Sequence, residues 1–137
     1  MIILSRNDYE KILNHAKKES PIEACGLLAG IVDGEKKFVK EVRLLTNIDR
    51  SPEHFSMDPK EQFEALKYFR ESKFTLIGNF HSHPSSPARP SEEDKRLAFD
   101  SKLSYLILSL MDKENPVLKS FIIEYGNSYE EDILIED

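Results

Sequence analysis

The sequence predicts an α/β domain in which helices sandwich a mixed β-sheet. Three observations carry this. Tight-turn signals, Asp33-Gly34 and Gly126-Asn127, separate strand-like runs near both ends of the chain. Helical patterns occupy the middle, where they serve as crossovers between strands. A length of 137 residues suits one ordinary domain with a single core, so positions 1–137 are read as one unit.

The elements follow in order. Asn7 can cap a helix that runs to about Glu19, with Tyr9, Ile12, Leu13 and Ala16 at helical spacing as one apolar stripe. Pro21 ends it. "ACGLLAGIV" is short, apolar and interrupted by two glycines, which reads as a buried strand with close backbone packing. "KKFVKEVRLL" returns beside it as a hairpin. "TNIDRSPEHFSMDP" is mostly loop, with a short extended piece near Phe55. Asp58 can cap the next helix, with Pro59 at its first position. "TLIGNFHSH" is a largely buried strand. "PSSPARP" cannot be regular structure, because its prolines remove donors and fix the chain. Ser91 starts a further helix with Leu97, Ala98 and Leu103 turned inward. "SYLILSLM" and "VLKSFIIEY" are strands, and "SYEEDILIE" is an edge strand.

Composition excludes several classes. The formal net charge of −6 argues against general phosphate-backbone binding, and Lys and Arg are scattered. No apolar run approaches the roughly 20 residues a membrane helix needs, and the start shows neither a basic leader nor a cleavage site. Cys25 is the only cysteine, so no internal disulfide forms and a reducing cytoplasm is the expected compartment. The acidic terminus "YEEDILIED" reads as a solvated surface.

The chemistry concentrates in "HSHPSSPARPSEED", His81 to Asp94. Alternate strand residues share a face, so His81 and His83 point the same way and Ser82 the opposite way. Imidazoles about 7 Å apart at their Cα atoms can converge on one ion, and zinc is a common partner. A catalytic zinc takes three protein ligands and keeps one position for water. The stiff loop returns the start of the next helix, where Asp94 is a plausible carboxylate ligand and Ser91 lies one turn earlier. "SEED" is also close to a capping box, in which Ser91 and Asp94 only satisfy backbone donors. Taken alone, that spacing more often marks a cap.

The stretch resembles the signature of the JAMM (MPN+) metalloproteases: His-x-His, seven residues, Ser-x-x-Asp, with Pro84 to Pro90 as the seven. "PIEACGLLAG" supplies Glu23 where that family has an upstream glutamate, and "HFSMDPKEQFEALKYF" and "YLILSL" also resemble small prokaryotic members. The resemblance implies the JAMM/MPN architecture, similar to that of cytidine deaminases. It implies Zn²⁺ held by His81, His83 and Asp94, with Glu23 as general base and Ser91 helping to stabilise the oxyanion. It further implies hydrolysis of a peptide or isopeptide bond at the Gly-Gly tail of a ubiquitin-like protein, either a sulfur carrier or a modifier. The short chain disfavours linkage-specific ubiquitin cleavage. A homodimer is compatible with such a domain. The alternative is a non-catalytic MPN-type scaffold, which typically lacks a full ligand set. A zinc deaminase would need P-C-x-x-C, which one cysteine cannot supply.

Other residues take plainer readings. Cys25 is expected as a small buried strand residue, with a thiol near the zinc as the sharper alternative. His15 is expected at the surface or a boundary. His54 can border a substrate groove. Asn79 shares a face with His81 and can support it. Arg89 is expected to be solvated, with contact to a substrate tail as an alternative.

Overall fold

A computed structural model describes residues 1–98 and 100–137. In chain order the elements are β1 (Ile2–Ser5), α1 (Arg6–Glu19), β2 (Cys25–Asp33), β3 (Lys36–Leu45), α2 (Pro59–Glu71), β4 (Thr75–His83), α3 (Glu92–Leu97), β5 (Ser104–Ser109), β6 (Val117–Glu124), β7 (Asn127–Glu131) and β8 (Ile133–Glu136). The strands form one mixed sheet of eight in the order β7-β6-β5-β4-β2-β3-β1-β8. The expected hairpin is β2–β3, with Gly34 supplying the left-handed φ of +62° that its turn requires. β4 runs antiparallel to β2 and parallel to β5, so the stretch holding α3 is the crossover.

Alternation along β2 places its residues on two cores. Ala24 and Leu28 join Ile12, Leu13 and Ala16 of α1, with Val42, Phe80, Leu106 and Leu108. Cys25, Leu27 and Ala29 face the other way, against Ala65 and Phe69 of α2. The two long helices therefore cover opposite faces of the sheet, as the patterning predicts. A third cluster, Ala88, Ile107, Phe121 and Ile123, packs beneath the proline-rich loop.

Three expectations need correction, and one strand is new. The cap of α1 is Ser5, whose hydroxyl accepts from the Asp8 N–H, and Asn7 lies inside the first turn. The apolar start is a strand: β1 pairs in parallel with both β3 and β8. The terminal segment is two strands on opposite edges of the sheet, separated only by Asp132. Leu97 is 60 % exposed, because α3 stops after six residues, whereas Ala98 does pack against the third cluster.

With its opposite edges joined by one residue, the sheet curls until they meet. The Glu131 carboxylate holds that seam. It accepts from the hydroxyls of Ser104 (2.7 Å) and Ser120 (2.8 Å) and pairs with Lys37 (3.2 Å) and the terminal ammonium (3.5 Å). Burial alone would raise its pKa, but these donors lower it. Its contribution to stability is therefore complete above the ordinary glutamate range and lost as pH falls through the depressed value. Glu131→Ala leaves a mostly buried Lys37 without its counter-charge, held only by the Ser104 hydroxyl among the described residues, and is expected to cost about 3–5 kcal/mol. Urea denaturation at pH 7 checks this, and a loss under about 0.5 kcal/mol, the range of an ordinary surface change, would remove Glu131 from the account.

The α1 side chains also cover the part of β3 beyond its pairing with β1. Lys11 Nζ donates to the Val42 carbonyl at 2.7 Å, and His15 Nε2 lies 3.3 Å from the Leu45 carbonyl. His15 is thus a boundary residue with a structural partner.

Candidate metal centre

The site forms at the C-terminal end of β4. Cys25, His81 and Ile107 are in register across β2, β4 and β5, so His81 and His83 project from the face that α2 covers. Ser82 projects to the other side, and its hydroxyl accepts from the Ala24 N–H at 2.8 Å. The loop after β4 folds back on itself: the Ser109 hydroxyl donates to the Ser86 carbonyl, and His83 Nδ1–H donates to the Pro87 carbonyl at 2.8 Å. A carbonyl can only accept, so the His83 proton sits on Nδ1 and the Nε2 lone pair is free to face an ion.

The return loop delivers Asp94 to the two imidazoles. His81 Nε2, His83 Nε2 and Asp94 Oδ2 form a triangle with all three sides 3.2 Å. Three apices of a tetrahedron around an ion with bonds of 2.0–2.1 Å lie about 3.3 Å apart, so this donor set fits zinc closely. Both imidazoles are buried, at 3 % and 4 % exposure. Among the described residues this is the one group of three donors arranged for a metal. Burial would raise the Asp94 pKa, but the two imidazoles and the Ser91 N–H hold it far below the ordinary carboxylate range. Burial also opposes charging His83, yet Asp94 and the Pro87 carbonyl outweigh it and raise its pKa.

The capping box is real as well. The Ser91 hydroxyl accepts from the Asp94 N–H at 3.0 Å, and the Ser91 N–H donates to Asp94 Oδ2 at 2.9 Å. One carboxylate oxygen therefore serves the cap and the donor set together. The Ser91 hydroxyl accepts within the cap and keeps its own proton available for an outside acceptor.

Glu23 lies just before β2, only 5 % exposed. Its N–H donates to the Ser51 carbonyl, and its carbonyl accepts from the Asn47 amide at 3.0 Å. Its carboxyl is close enough to His83 and Asp94 for their charges to act on it, and Oε1 is buried without a hydrogen-bond partner among the described residues. Burial pushes its pKa up to about 8, with His83 opposing and Asp94 assisting. The structure thus gathers Glu23, His81, His83, Ser91 and Asp94 at one strand end.

The sharper reading of Cys25 fails. It shares the His81 face, but its sulfur lies 3.8 Å from the Leu45 carbonyl in the core over α2, outside the donor group. Burial first, then nearby glutamates, push its thiol up to about 12, which leaves it inert. The Asn79 side-chain oxygen is buried and finds no hydrogen-bond partner among the described residues. Arg89 is exposed and lines a cavity of about 320 Å³ behind the return loop, with Met111, Val117 and Lys119. His54 spans the rim: its Nδ1 lies 2.6 Å from Glu93 Oε1, a contact that raises its pKa. Two neighbours of the site are not legible in the sequence, Asn47 and Phe55. Phe55 stacks on His81 with ring centroids 4.7 Å apart. The mixture of loop and extended pairing around Phe55 is the one local signal that this segment does more than connect.

The chain is similar to several known proteins. A family model described as prokaryotic homologs of the JAB domain matches residues 5–123. The CysO-cysteine peptidase of Mycobacterium tuberculosis is 28 % identical over 97 % of this chain and 90 % of its own. A desampylase of Haloferax volcanii is 31 % identical over 77 % of this chain and 78 % of its own. A solution structure of a protein from Desulfitobacterium hafniense superposes with a TM-score of 0.92 at 52 % identity, covering 100 % of this chain and 94 % of that one. The crystal structure of a JAB1/MPN domain protein from Archaeoglobus fulgidus gives 0.63 at 27 % identity, covering 100 % of both chains. The chain belongs to the prokaryotic JAB-domain family and is a hydrolase of the JAMM type.

Proposed function

We propose that the protein is a zinc-dependent peptidase or isopeptidase that cuts at the C-terminal Gly-Gly tail of a ubiquitin-like protein, a sulfur carrier or a protein modifier. The observation that carries the metal is the 3.2 Å triangle of His81, His83 and Asp94 donors, with an unpaired, buried glutamate beside it. Zn²⁺ held there supplies Lewis acidity and a water acidified toward about pH 7.

The chain's own groups do the rest. His83 is fixed in the ligating tautomer by the Pro87 carbonyl. Glu23 takes a proton at its free carboxylate oxygen and returns it to the leaving amine; desolvation keeps its proton affinity high enough for both transfers. The Ser91 O–H, uncommitted as a donor, can reach toward charge that develops on the scissile carbonyl oxygen. The names of the relatives, a CysO-cysteine peptidase and a desampylase, fit cleavage at a Gly-Gly tail. The scaffold alternative gains no support from a site that keeps every expected ligand.

The test incubates zinc-loaded protein with ubiquitin-like sulfur carriers and modifiers that bear C-terminal extensions, and with ubiquitin conjugates. Mass spectrometry locates the cut. Cleavage after Gly-Gly that a chelator stops is expected. Stoichiometric zinc with no cleavage of any of these substrates would return weight to the scaffold.

A further inference from the structure

We propose that Phe55 is a positioning residue for His81, and that Asn47 locks Phe55 to the backbone of Glu23. The inference rests on the metal reading above but concerns what holds the ligand.

An imidazole that binds a metal is ordinarily oriented through its second nitrogen. His83 follows this pattern, with Nδ1–H on the Pro87 carbonyl. His81 does not: its Nδ1 is buried and has no hydrogen-bond partner among the described residues. What lies against its ring is Phe55, with centroids 4.7 Å apart and planes inclined by only 23°. In such a face-on stack, turning the imidazole about its Cβ–Cγ bond drives an edge into the phenyl ring, so the stack restrains the rotation that a hydrogen bond would otherwise restrain.

A ring can orient another only if it is itself held, and Phe55 lies outside the helices and strands. Asn47 holds it. This side chain uses its full hydrogen-bonding capacity. Its Nδ2 donates to the Glu23 carbonyl at 3.0 Å and the His54 carbonyl at 2.9 Å. Its Oδ1 accepts from the Asp49 N–H at 3.0 Å and the Ser56 N–H at 3.1 Å. The His54 carbonyl and the Ser56 N–H flank Phe55 on either side, and the Ile48 N–H closes the same loop on the Ser56 carbonyl. Asn47 is 6 % exposed, and its bond to the Glu23 carbonyl is buried while the other three are partly so. One buried amide therefore fixes the backbone that carries Glu23 and the ring that braces His81 in a single frame.

The test compares Phe55→Leu, which keeps apolar bulk but loses the flat face, with Phe55→Tyr, which keeps the face. Zinc affinity is measured by competition with a chromophoric chelator, and the visible spectrum is recorded with Co²⁺. Phe55→Leu is expected to bind zinc about 10–100-fold more weakly and to shift the cobalt bands, with Phe55→Tyr restoring both. In turnover it lowers kcat more than it raises KM. Wild-type binding matched by Phe55→Leu in affinity and spectrum overturns this proposal alone. A wild type that binds neither ion overturns the metal reading and this proposal with it.

Discussion

Asp94→Asn is expected to abolish cleavage and to weaken zinc binding by about 10²–10³-fold, since each ligand of a four-ligand zinc site carries roughly 3–4 kcal/mol. The substitution is close to isosteric, so the loss is chemical. It removes the one anionic donor from a triangle whose other corners are neutral imidazoles. The helix should survive. The Ser91 hydroxyl still accepts from the backbone N–H of residue 94, and an amide oxygen can still accept from the Ser91 N–H. That separation makes the experiment informative: if Asp94 were only a cap, the variant would keep its zinc. Metal analysis after gel filtration and a chelator titration measure the binding, and the far-ultraviolet circular dichroism should be unchanged. Near-stoichiometric, tightly held zinc in Asp94→Asn would remove Asp94 from the ligand set.

Much of this site was legible because its chemistry is local. The period of two puts His81 and His83 on one face, and three prolines between Ser82 and Ser91 leave the chain little choice but a stiff return. The two readings of "SEED" share one carboxylate oxygen, since the cap places Asp94 Oδ2 3.2 Å from both imidazoles. Glu23 was different. No spacing distinguishes it from the other carboxylates, and the family resemblance located it; the burial that makes it special depends on the loop near Ser51 closing over it. The roles of Asn47 and Phe55 escaped notice because the contacts that tie them to the site, with Glu23 and His81, span 24 and 26 residues of sequence. The missed terminal strands share that cause. β1 and β8 have four residues each and become strands by pairing with each other, which joins the two ends of the chain. Leu97 was placed inward by helical spacing, but a helix of six residues has too little length to present a buried stripe.

Glu23→Gln is expected to retain stoichiometric zinc and to lose about 10²–10⁴-fold in kcat. The amide fills the same volume but cannot take up a proton at the free oxygen. Two pH measurements follow from the burial of the carboxyl. In wild type the rate should rise with pH as Glu23 deprotonates; the value near 8 applies to the metal-free protein, and a bound cation lowers it, so the rising limb should lie below 8. In metal-free protein, kept so by a chelator, stability gives the second. A carboxyl raised on folding contributes stability that is complete below about 4.5 and is lost as pH rises through about 8. Glutamine undergoes no such loss. Urea denaturation should therefore find the two proteins alike at pH 4.5 and Glu23→Gln the more stable at pH 9, by on the order of 4 kcal/mol. A catalytic carboxylate held at a cost to the fold shows both signs at once: removing its charge stabilises the chain and stops the reaction. Full activity in Glu23→Gln would mean that another group moves the proton. Equal stability at both pH values would mean that Glu23 is better solvated than its buried position implies.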